Sequence, residues 1–95
     1  MKAKLLYQRA ISQWGYQAQV EMALEECIEL AHAIMKFLRD GRGDEYEKVE
    51  EEIADVEIMM AQLRRIFFTK NISRWKARKL KRLQGRLENA LNNNK

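Results

Sequence analysis

Apolar residues recur along most of this chain at steps of three and four, the repeat of a helix with one apolar face. The repeat is interrupted at Gly15, at Gly41-Arg42-Gly43 and near Asn71-Ile72-Ser73, which divides the chain into four helical segments. The first runs roughly from Ala3 to Gln13 through Leu5, Leu6 and Ile11. The second runs roughly from Ala18 to Arg39, with Leu24, Cys27, Ile28, Ala31, Ile34, Met35 and Leu38 as its recurring apolar positions. Gly41 suits a C-terminal cap. The third opens on Asp44 as N-cap, with acids in the first turn where the helix dipole favours them. It continues to about Phe68 through Val49, Ile53, Val56, Met60, Leu63 and Phe67. The fourth is expected to start after Ser73, a second N-cap. It carries a narrow seam of Leu80, Leu83, Leu87 and Leu91. Connections this short make neighbouring long helices antiparallel, so the second and third should form a central hairpin.

Composition agrees with an all-α fold. The 95 residues include no proline and four glycines, and 46% are hydrophobic while 34% are charged. That balance favours helices with well-marked faces over strands or disorder. The length fits one domain over residues 1–95, with a tail at Asn92–Lys95 that is expected to fray. So short a chain builds a modest core, and oligomerisation is a natural way to bury more apolar surface. The single cysteine, Cys27, excludes an intrachain disulfide and reads as a buried, inert thiol. The N-terminus does not lead into a signal-peptide apolar region, and no apolar run approaches a membrane span. The expected location is the cytoplasm, with no membrane partner.

Charge changes the picture. Residues 1–63 hold 7 Lys/Arg and 13 Asp/Glu, whereas residues 64–95 hold 11 Lys/Arg and one acid, Glu88. A basic half of this kind either binds nucleic acid or faces the acidic half across a site holding metal and phosphate.

The acids have a pattern. Glu26-x-x-Glu29 lies in the second helix and Glu52-x-x-Asp55 in the third, and a three-residue step keeps each pair on one helix face. Acidic pairs at this spacing are common on solvated helices. These two are set among apolar residues, and in an antiparallel hairpin all four carboxylates can converge. At about 5 Å and an effective dielectric of 20, each pair of carboxylates repels by roughly 3 kcal/mol. A divalent cation reverses that sign, and all-oxygen ligation points to Mg²⁺ or Mn²⁺ rather than zinc. Glu29-x-x-His32 supplies half of a di-iron motif, but the chain has no second histidine, so His32 reads as a polar-face or packing residue.

Glu-x-x-Glu, a gap of 22 residues and Glu-x-x-Asp resemble the signature of the MazG-like all-α nucleoside triphosphate pyrophosphohydrolases. The stretches Trp14-Gly15, Gln17-Ala18-Gln19, Met22 to Leu30, Glu51 to Met59 and Lys79 to Leu83 look like the compact phage and bacterial members. The resemblance covers about residues 10–87. It implies a helical bundle that hydrolyses an NTP or dNTP to the monophosphate and pyrophosphate. It also implies Mg²⁺ held by Glu26, Glu29, Glu52 and Asp55, and a homodimer or homotetramer with sites shared between subunits.

Further roles follow from spacing. Lys79, Arg82 and Arg86 form one stripe beside the leucine seam and are candidates for phosphate contact, or else a solvated basic face. Glu25 can hold a second metal or orient water, or it can be a surface acid. Gln19 and Met22 share the helix stripe of Glu26, so Gln19 can read a base edge. Trp14 can stack on a base or pack the first helix on the second. The alternative is a helical nucleic-acid-binding or dimerisation module built on the basic last helix. That reading leaves the four acids unexplained.

Overall fold

The computed structural model describes residues 1–41 and 43–94. Among them are four helices and no strand: α1 (Ala3–Trp14), α2 (Tyr16–Asp40), α3 (Gly43–Ile66) and α4 (Thr69–Asn93). The all-α expectation holds. No helix among the described residues is long and apolar enough to cross a membrane.

Two of the three expected breaks fall where the glycines place them. Gly15 joins α1 to α2 with φ 87°, and Gly41 caps α2 in the left-handed region with φ 59°, its N–H donating to the Phe37 carbonyl. Both values suit a residue without Cβ. Arg42, in the middle of the second break, lies outside the described residues. Asp44 is not the N-cap: α3 already includes Gly43, so Asp44 and Glu45 stand in its first turn.

The third break is misplaced by the sequence reading. It falls at Phe67-Phe68, and α4 begins at Thr69 rather than after Ser73. The Arg64 guanidinium explains the shift. Its Nη1 donates to Thr69 Oγ1 and to Ser73 Oγ, each at 3.1 Å, so the hydroxyl expected to cap a helix instead ties α4 to α3. At the other end, α4 continues through Asn92 and Asn93, where a frayed tail was expected, and Lys95 lies outside the described residues.

α2 and α3 pack as the expected antiparallel hairpin, and α1 lies against both. α4 touches α3 alone, so a single chain does not close a four-helix bundle. The radius of gyration is 17.2 Å, against about 13 Å for a compact chain near this length.

The hairpin turns inward the α2 stripe that carries Glu26 and leaves the apolar stripe outside. Its buried residues are Gln19, Ala23 and Ala33 on α2 and Glu52, Met59 and Gln62 on α3. Leu24, Cys27, Ile28, Ala31, Ile34, Met35 and Leu38 are all exposed. Small side chains decide this. Ala23 and Ala33 let the helix backbones approach, whereas the bulky apolar stripe of α2 is held outward for want of a partner. α4 buries none of its residues, and its four seam leucines stay more than half exposed.

Candidate metal centre

The inward stripe of α2 runs through Gln19, Ala23, Glu26, Leu30, Ala33 and Phe37, in alternating steps of four and three. That alternation keeps a seam facing one neighbour. Two contacts fix the register against α3. Near the turn, the Phe37 and Tyr46 rings meet edge to face with centroids 4.8 Å apart. Farther along, Glu26 meets Glu52 and Asp55.

Glu26, Glu52 and Asp55 each offer a carboxylate oxygen, and the three oxygens lie within 4.8 Å of one another. Glu26 and Asp55 are half-buried, while Glu52 is buried. Glu52 Oε1 pairs with Lys48 Nζ at 3.0 Å, but Glu52 Oε2 is buried with no hydrogen-bond partner. An orphaned buried acceptor costs about 1–3 kcal/mol, and more when charged. The Glu26 carboxyl is held above its ordinary value, first by lost hydration and then by the charges of Asp55, Glu52, Glu29 and Glu25.

The convergence expected of four carboxylates therefore brings together three. Glu29 is exposed and stands outside the group, although its charge acts on Glu26 and on Lys48. A cation held by Glu26, Glu52 and Asp55 would meet hard oxygen donors, and this donor set fits Mg²⁺ or Mn²⁺. Glu25 is exposed beside the group.

The remaining candidates are dispersed. Gln19 is 2% exposed and belongs to the hairpin seam, whereas Met22 is 45% and Trp14 64% exposed. Trp14 lines a cleft of about 600 Å³ between α1 and α3, together with Leu6, Ala10, Ile58 and Gln62. Lys79, Arg82 and Arg86 are exposed on α4, which makes no contact with α2, and a single chain does not bring them to the carboxylates. His32 is exposed, as a polar-face residue should be. Cys27 is exposed too, against the expectation of a buried thiol.

Sequence reasoning passed over Lys48. Its position four residues before Glu52 was the available signal, because i and i+4 side chains meet on a helix. In comparisons with protein-family models, curated proteins and solved structures, nothing matches this chain.

Proposed function

We propose that this chain is a Mg²⁺-dependent nucleoside triphosphate pyrophosphohydrolase of the MazG-like kind, with Mn²⁺ as an alternative metal. The observation that carries the reading is a buried Glu52 that keeps one oxygen unpartnered and whose carboxylate is grouped with those of Glu26 and Asp55. Three carboxylates this close repel one another, and among the described residues only Glu52 has a cation in ion-pair reach. A divalent ion relieves both the repulsion and the orphaned oxygen.

Glu26, Glu52 and Asp55 are the ligands in this reading, and Glu29 reaches the site only by moving inward. The ion, when bound, supplies charge neutralisation of the triphosphate and acidification of a bound water. Glu25 stands at the solvent edge, where it can accept a hydrogen bond from a water and orient it. Attack on the phosphorus nearest the sugar breaks the bond to the bridging oxygen and releases pyrophosphate. The nucleobase falls to Trp14 and Met22, exposed on α1 and the first turns of α2, while Gln19, buried in the hairpin seam, is withdrawn as a base contact.

The working unit is a homodimer or homotetramer. The exposed area is 8181 Å², against roughly 5,700 Å² for a compact monomer of this mass. The excess exceeds a standard protein–protein interface of about 1,600 Å². In this reading α4 of one copy covers an exposed apolar stripe of another, and Lys79, Arg82 and Arg86 reach triphosphate from the partner.

The direct test is pyrophosphate release from a panel of NTPs and dNTPs, with and without Mg²⁺. Release that depends on Mg²⁺ is expected, and its absence across the panel overturns the reading. A second reading, nucleic-acid binding by α4, draws on the exposed cations of that helix. Salt-dependent binding to duplex or single strands, with no nucleotide turnover, would favour it.

A further inference from the structure

Lys48 stands one helical turn before Glu52 on α3. Its side chain is 50% exposed and that of Glu52 only 6%, so the ammonium reaches a dry carboxylate from the solvent edge. Such a pair is not ordinary helix decoration. On a solvated face a Glu preceding a Lys by four residues is the better order, and here the order is reversed. Nor is Glu52 satisfied by the pairing, since Oε2 keeps no partner. One carboxylate thus offers two cation positions. Lys48 pairs with one oxygen, and the same carboxylate belongs to the group formed with Glu26 and Asp55. Among the described residues, Lys48 is the one cation in ion-pair contact with this group.

We propose that Lys48 is a hand-over residue: it is the counter-ion of Glu52 until metal arrives, and a phosphate ligand afterwards. The inference rests on the reading of the site as one for metal and triphosphate. A divalent ion on Glu52 takes up the carboxylate charge that holds the ammonium and repels the ammonium itself. The four-carbon stem is flexible and half in water, so the head can swing without disturbing the helix. A triphosphate bound over the same acids gives it a new anionic partner on the same side of α3. The chain then needs no rearrangement of its backbone to supply a first phosphate contact from within one protomer.

The hand-over has a signature of opposite signs. Lys48→Met keeps the length and removes the charge. It should bind Mn²⁺ more tightly in calorimetry without nucleotide, by about tenfold, because a competing cation is gone. The same variant should raise KM for the nucleoside triphosphate that the wild type turns over fastest, again by about tenfold, because a phosphate contact is gone. Lys48→Arg keeps the charge and should return Mn²⁺ affinity to the wild-type value. Lys48→Gln serves as a second neutral variant should the methionine variant not fold. Unchanged Mn²⁺ affinity in the neutral variants overturns the proposal, and so does tighter Mn²⁺ binding with an unchanged KM. If the wild type binds Mn²⁺ and releases pyrophosphate while Lys48→Met alters neither constant, the hand-over fails and the metal reading stands. If the wild type does neither, both fall together.

Discussion

The α2–α3 hairpin and α4 solve opposite problems with the same kind of helix. The hairpin buries a seam that is mostly polar or small, with Gln19, Glu52 and Gln62 beside Ala23 and Ala33, and one large apolar residue, Met59. α4 carries a clean leucine seam and buries none of it. The hairpin is acidic and closed on itself, while α4 is basic and touches only the end of α3. Hydrophobicity alone would put the leucines inside and the carboxylate outside. The inversion shows two kinds of unmet contact among the described residues: a buried Glu52 oxygen without a partner in the hairpin, and a leucine seam without an apolar neighbour on α4.

The contrast breaks most sharply at Asp55. Asp55→Asn keeps the shape of the side chain and removes a hard anionic ligand. Pyrophosphate release in Mg²⁺ should fall by orders of magnitude, while circular dichroism shows the helices intact. Full activity in this variant would remove the hairpin's claim to a metal.

On α4 the corresponding change is Leu83→Asp with Leu87→Asp. Light scattering at micromolar concentration should report at least a dimer for the wild type and a species of 11.3 kDa for the variant. A wild type that is already a monomer at that mass would mean that the leucine seam has no second copy to meet.

Smaller effects sharpen the link between the two regions. If α4 cations reach triphosphate, Lys79→Ala and Arg82→Ala should each cost roughly 1.5–3 kcal/mol in kcat/KM, the worth of a charge-assisted bond. Normal turnover in both variants would assign the stripe to the surface or to another partner.

The smallest effect concerns stability without metal. The raised Glu26 carboxyl means that the folded state binds its proton more tightly than the unfolded state does. Its contribution is therefore destabilising above the raised value. That penalty fades as pH falls toward the ordinary carboxylate value of 4.5. In EDTA, Glu26→Gln should raise the melting temperature by a few degrees at neutral pH, and the gain should shrink in mild acid. Glu52→Gln should give no such gain, because it also loses Lys48. Equal gains from both variants would show that Lys48 leaves the charge of Glu52 uncompensated.

Much of this was legible in the residues. Gly15 and Gly41 mark their breaks because a positive φ favours a residue without Cβ. The three-residue spacing of Glu26 with Glu29 and of Glu52 with Asp55 announces a shared face on each helix before any fold is known, although Glu29 then stays outside the group. Less visible was the start of α4, since the hydroxyl of Ser73 can serve either as a cap or as an acceptor for a distant arginine. Only the neighbour decides which. Lys48 was hidden for a similar reason: a lysine one turn from a glutamate is unremarkable until the glutamate is found buried.

By itself the sequence determined that the chain is helical, where two of its three turns lie, and that its acids and bases are segregated. Periodicity fixes which residues share a face, because every third or fourth side chain points the same way. It does not say which face turns inward. α2 carries two competing stripes, one bulky and apolar through Leu24, Ile28 and Met35, the other small and polar through Gln19, Ala23 and Ala33. The tertiary structure chose the second, since small residues allow the α3 backbone to come close. That choice set Glu52 in a dry position, brought Glu26 and Asp55 to it, and left Glu29 outside.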